Sequence, residues 1–219
     1  MADSSRAALV TGGTGRVGRA VAERLREEGF RVLAAGSRDG NLARADEARA
    51  LVERAVRDFG ALDLVVNGAA AGFAPRPVDE VTEEAWDEAL GATAKGSFFV
   101  TQAAAPELRR SALGLVVMIE DVAAYQPWPS FAPHCAAKAA QAMLTRVFAR
   151  ALAPDVRVCG IAPGPVAVEP DQEERRAAET LLRRIGSPED VAEAVVYLTR
   201  ANFVTGTTLV VDGGRLIAR

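Results

Sequence analysis

The chain contains a single histidine, His134, and four residues after it comes a lysine, Lys138. Positions i and i+4 share one face of a helix, and the Ala-rich run that follows is strongly helical. An imidazole and an ammonium projecting into one site could do acid–base chemistry near neutral pH. Taken alone, the pair reads equally as an exposed helix face. A second group is Gly12-Gly13-Thr14-Gly15-Arg16-Val17-Gly18, which follows an apolar run over 7–11. Small residues there let the backbone approach a pyrophosphate, and the helix that follows offers free N–H groups and a positive dipole end. A tight strand-to-helix turn needs the same glycines. The position after a first strand, with a second strand to follow, points to a dinucleotide.

The second strand ends in Gly36-Ser37-Arg38. No carboxylate stands where a free ribose 2′-hydroxyl is normally held. A hydroxyl and a guanidinium suit a 2′-phosphate, and Arg16 can add a second positive charge. The cofactor expected is therefore NADP(H) rather than NAD.

These groups need a scaffold, and the pattern supplies one. Short apolar runs at 7–11, 31–35, 62–67, 114–119, 156–161 and 208–212 alternate with amphipathic ones at 17–28, 46–59, 83–90, 94–111, 131–152, 171–184 and 188–199. The short runs are mostly apolar throughout, as strands covered on both faces are. The expected fold is a single α/β domain over 1–219, with a Rossmann-type, doubly wound, mostly parallel sheet. Only about ten residues separate the strand ending at Ala35 from the helix beginning near Asp46, too few for a further crossover helix and strand. Ser187-Pro188-Glu189-Asp190 has the composition of a helix start.

With 219 residues, 49% apolar and 25% charged, and a net charge of −3, the composition is that of a soluble globular protein. No basic field is available for nucleic acid or an anionic membrane. Cys135 and Cys159 lack metal-ligand spacing, and with one histidine a zinc site is not expected. The first residues show no charged leader with an apolar stretch, and no apolar run reaches membrane length. A cytoplasmic protein acting on a small molecule is the expectation.

On these blocks the chain resembles the short-chain dehydrogenase/reductase family over nearly its whole length. Thr11 to Gly18 matches T-G-x-x-x-G-x-G, with Arg16 at the middle glycine, as in the pteridine-reductase branch. Asp63-Leu64-Val65-Val66-Asn67-Gly68-Ala69-Ala70 matches D-x-L-V-N-N-A-G. Pro163-Gly164 with Val166, and Thr205-Gly206 with Val211-Asp212-Gly213-Gly214, match later blocks. The resemblance implies that the chain lacks the usual third strand and its preceding helix. It implies cofactor contacts at Asn41, Asn67, Ala69, Pro163, Gly164 and Val166, and Lys138 on the nicotinamide ribose. Of the family's Asn, Ser, Tyr and Lys tetrad, only Lys138 is retained. Thr93, Asp121 and His134 stand at the other positions.

The resemblance implies an NADPH-dependent reductase of a carbonyl or pterin-like C=N compound. Asp121 and His134 are then the candidates to deliver the proton. Loss of the tyrosine leaves two alternatives open: non-redox acid–base chemistry such as dehydration or isomerisation, and a catalytically inactive binding subunit. Phe73, Trp128 and Val166 would be apolar walls, and Phe73 and Trp128 could stack on a flat substrate ring; ordinary loop packing explains them as well. The resemblance further implies a homodimer or homotetramer.

Overall fold

The computed structural model describes residues 6–72 and 74–218. Its strands are β1 (Ala7–Thr11), β2 (Arg31–Ala35), β3 (Leu64–Asn67), β4 (Leu115–Ile119), β5 (Arg157–Pro163) and β6 (Thr208–Val211). They pair in parallel in the order β2-β1-β3-β4-β5-β6. The helices are α1 (Arg16–Glu27), α2 (Ala45–Phe59), α3 (Glu83–Leu90), α4 (Gly96–Leu108), α5 (Ala132–Leu152), α6 (Glu173–Ala178) and α7 (Pro188–Arg200).

Side chains alternate along a strand, so a sheet covered on both faces needs apolar residues at every position. β1 shows this directly. Ala8 and Val10 join Leu25 of α1 and Val195 of α7 in one cluster, while Leu9 joins Leu51 of α2, Val100 of α4 and Phe148 of α5 in the other. The chain leaves β1 for the edge strand β2 and then returns to place β3 on β1's other side. That reversal opens a crevice at the carboxyl ends of β1 and β3, where ligands bind in doubly wound sheets.

Between Ala35 and Ala45 lies one 3-10 turn, Ser37–Asp39, and no strand. The sheet is one strand short, as the short connection requires. Two helices differ from the sequence expectation. The run expected over 94–111 begins instead as a π turn, Gly91–Lys95, which passes into α4. The run expected over 171–184 keeps only α6, preceded by a 3-10 turn at Pro170–Gln172. Tertiary bonds override local propensity there. The Leu182 N–H donates to the Gly213 carbonyl, while locally the Thr180 hydroxyl bonds the Ala177 and Arg184 carbonyls and Arg183 adopts φ +53°. Among the described residues no helix is long and apolar enough to cross a membrane, and no group of metal-ligating side chains occurs.

Candidate active site and nucleotide cleft

At the end of β1 the Thr11 hydroxyl accepts the N–H groups of Gly68 (3.1 Å) and Ala69 (3.2 Å), tying the turn after β1 to the end of β3. Two glycines make that packing possible. A Cβ on Gly12, which has φ +67°, would lie 2.5 Å from the Gly68 carbonyl oxygen, and one on Gly18 would lie 2.1 Å from that of Gly12. α1 begins at Gly15 with no side-chain cap and no acid in its first turn. Its orphan N–H groups and dipole are therefore available to an anion. Gly12, Thr14, Gly15, Ser37, Asn41 and Ala69, all expected at the cofactor, line a cleft of about 480 Å³. Ser37 and Arg38 are exposed at the end of β2.

Other expected contacts are placed differently. The Asn67 side chain is buried and turns into the core, where its amide donates to Thr101 Oγ1 (2.9 Å) and Met118 Sδ (3.4 Å). Alternation along β3 sends it away from the crevice, and its Oδ1 has no hydrogen-bond partner. Val17 packs against the core. Arg16 reaches across to Glu169 at 2.6 Å. Pro163 closes β5, the Gly164 N–H donates to Val211, and Val166 lines a separate cavity with Leu181 and Val210. Asp39 is an acid near the end of β2 that the motif reading did not weigh. Its carboxylate accepts the Gly36 N–H (2.8 Å) and pairs with Arg54 (2.9 Å), two contacts that hold it below the usual carboxylate range. Asp39 is spent on the turn.

The acid–base groups gather above β4. Asp121 caps a short 3-10 turn, accepting the Ala123 N–H at 2.8 Å, and its other oxygen lies 3.4 Å from His134 Nε2. That is the outer limit of a hydrogen bond. His134 is in the first turn of α5, set up by Pro133 at a position where the missing N–H costs nothing. The imidazole is buried, and Trp128 stacks on it with rings 6.4 Å apart and 11° from parallel. The Arg215 guanidinium lies 4.9 Å from the centre of the Trp128 ring and pairs with Glu179 at 2.8 Å. Trp128 is thus engaged by the protein's own groups rather than standing as an open wall. Phe73, the other expected wall, lies outside the described residues.

Lys138 shares the helix face of His134, and its side chain is buried. Its Nζ donates to the Ile119 carbonyl (2.7 Å) and to Gln141 Oε1 (3.1 Å). Burial pushes its pKa down to about 8, against the fields of Asp121 and Glu120. In this arrangement the amine supports the end of β4.

Glu120 and Gln141 escaped the site reading, and Thr93 enters it only by its position in the tetrad. Glu120 is buried and accepts from Thr145 (2.6 Å), Tyr125 (2.8 Å) and Thr208 (3.0 Å). A Cβ on Gly160 would fall 2.0 Å from its Oε1, so the glycine makes room for the acid. The available signal was an acid directly after an apolar strand. The Tyr125 hydroxyl, its pKa raised by burial with Glu120 adding to the effect, is committed to this cluster. Thr93 is buried in the π turn, a feature found often at functional sites.

Residues 37–215 match the family described as enoyl-(acyl carrier protein) reductase. The chain is 38% identical to "Granaticin polyketide synthase putative ketoacyl reductase 2" of Streptomyces violaceoruber, over 94% of each chain. It is 31% identical to dehydrogenase/reductase SDR family member 4 of Homo sapiens, over 96% of this chain and 87% of that one. The crystal structure of a 3-ketoacyl-(acyl-carrier-protein) reductase from Brucella melitensis, complexed with NADH, superimposes with a TM-score of 0.91 at 24% identity, covering 97% of this chain and 98% of that chain.

Proposed function

The chain belongs to the short-chain dehydrogenase/reductase family of oxidoreductases, and from that premise we propose that it is an NADP(H)-dependent carbonyl reductase in which His134, paired with Asp121, delivers the proton. The observation that carries this is the Asp121–His134 contact, 3.4 Å long and part-buried above β4, with the imidazole itself buried. Ketoacyl reductases among the relatives favour a carbonyl over a pterin. The cradle fits a dinucleotide: Gly12 and Gly18 leave no room for side chains, and α1 presents an uncapped N-terminus. Gly12, Thr14, Gly15 and Ala69 would hold the pyrophosphate side, with Ser37 and Arg38 at the 2′-phosphate. The cofactor supplies a hydride when bound. His134 protonates the oxygen that becomes the alcohol, and Asp121 orients the imidazole and offsets the charge it carries while protonated.

Titration with NADPH and NADH tests the cofactor, and oxidation of NADPH at 340 nm with a panel of ketones tests the reaction. A preference for NADPH that drops by roughly ten- to hundredfold in Arg38→Ala is the expected result, the weight of a charge-assisted bond. Equal affinities reject the assignment. The buried position of Lys138 favours a second reading, acid–base chemistry without redox, and ketone or hydroxyl conversion without NADPH consumption would select it.

A further inference from the structure

His134 has a second neighbourhood besides Asp121 and Trp128. It forms part of the lining of a cavity of about 170 Å³ between α3, the π turn and the start of α5. Ala85 and Ala89, four apart on α3, present methyl groups to it, and Gly72 comes from the loop after β3. The backbone N–H of Arg76 donates to the Ser130 carbonyl at 2.8 Å, which ties that loop to the turn before α5.

The polar groups are unevenly distributed. Thr93 is 2% exposed and lines the cavity, and its hydroxyl makes no hydrogen bond among the described residues. The hydroxyl therefore faces the cavity, where a ligand oxygen can reach it. His134 lies on the same lining. Arg76 and Glu88 are exposed residues of the lining, one cation and one anion, so the opening carries no field that selects an anionic ligand. The rest of the wall is small or apolar.

Size sets the class of occupant. A cavity of about 150 Å³ holds one benzene ring, so the enclosed part of this one, which opens past Arg76 and Glu88, seats a single six-membered ring. We propose that the substrate site of this chain takes an uncharged monocyclic ketone, its ring among Ala85, Ala89 and Gly72 and its oxygen on Thr93 and His134. A bicyclic ring system or a long acyl chain exceeds the enclosed space and would have to reach out past Arg76 and Glu88. This inference rests on the carbonyl-reductase reading for its chemistry but not for its binding.

The single histidine gives one imidazole resonance, which makes binding measurable without cofactor or turnover. Cyclohexanone added to the full-length protein should shift the His134 signal and saturate. Ala89→Phe, which fills the cavity, should weaken that binding by about tenfold or more, and Thr93→Val should weaken it by roughly threefold to tenfold. Ala85→Leu serves the same purpose if the phenylalanine variant fails to fold. The bicyclic ketone 1-decalone should bind about tenfold more weakly than cyclohexanone or worse. An unmoved His134 signal, wild-type binding in both filled variants, or equal binding of decalone overturns the proposal. Saturable binding blocked by the filled variants, with no NADPH oxidation, keeps the pocket and removes the reductase reading. Reduction of decalone with no effect of the filled variants does the reverse.

Discussion

The cleft above β1 and the site above β4 are built from different parts of the chain. The first is made of backbone: a left-handed Gly12, a carbonyl 2.1 Å from where a Gly18 Cβ would stand, and the uncapped start of α1. The second is made of side chains, with Asp121, His134, Lys138, Glu120 and Gln141 meeting from β4, its following turn and α5. Backbone geometry tolerates few residue types, so the first region has little freedom to change. Side-chain geometry can be refitted one residue at a time while the fold beneath it is kept.

The largest contrast is expected in catalysis. If the second region is an acid–base site, His134→Ala should lower kcat about 100- to 10,000-fold, the usual weight of a general acid. NADPH affinity should stay near that of the wild type, because the cradle lies in the other region. Steady-state kinetics and a cofactor titration on the same variant check both halves. Normal turnover would show that the histidine packs under Trp128 and does no chemistry.

The backbone-built region should break by folding rather than by rate. Gly18→Ala places a methyl against the Gly12 carbonyl, and main chain cannot move aside cheaply, so a loss of about 3 kcal/mol in urea unfolding is expected. That loss outweighs the gain in helix propensity from alanine. Gly15→Ala meets nothing closer than 3.4 Å and should cost only about 0.5 kcal/mol through its poorer cap. Equal losses at the two positions would mean that the turn is looser than its contacts imply.

The same difference explains what could be read in advance. Glycines at fixed offsets, apolar strands and a ten-residue gap are local patterns, and they give the sheet, its missing strand and the cradle. Where Lys138 ends up depends on a carbonyl nineteen positions away, Ile119, which no spacing rule reports. Asn67 looked like a cofactor residue by motif, but strand alternation points it into the core against Thr101 and Met118. Arg215 reaches Trp128 and Glu179 only through the tertiary fold. One signal was available and unused: 26 basic residues include only two lysines, Lys95 and Lys138. An amine kept where arginine is the rule marks a place too tight for a guanidinium.

That buried amine has a pH signature. Its pKa is about 8 in the folded protein, against an ordinary 10.5. Between those values the unfolded chain holds a proton that the folded chain lacks, so unfolding takes up a proton. Stability from this group is complete above about pH 10.5 and is lost as pH falls through 8, by roughly 3 kcal/mol in all. Lys138→Met removes the titration but leaves the Ile119 carbonyl without its donor, at about 1–3 kcal/mol. Urea midpoints from pH 7 to 10 should therefore rise for the wild type relative to the variant. Parallel curves would place the amine in contact with water.

The smallest effect concerns an ion pair that joins the first turn of α1 to the chain beyond β5. Arg16, in the first turn of α1, holds Glu169 at 2.6 Å, and both side chains are more than half exposed. Exposed pairs of this kind contribute about 0.2–1 kcal/mol, so Glu169→Gln should leave the urea midpoint nearly unchanged. Its consequence should appear in the titration instead. A guanidinium freed from a carboxylate has its full charge available to a phosphate, and NADPH affinity should rise by roughly twofold to fivefold. If Arg16 serves the 2′-phosphate, NADH affinity should stay level. If it serves the pyrophosphate common to both cofactors, the two should rise together. Both gains should fade in about 0.5 M salt, where screening over a few ångströms removes exposed electrostatics. No gain for either cofactor would show that Arg16 stands outside the anion site, leaving the cradle to α1 and its glycines alone.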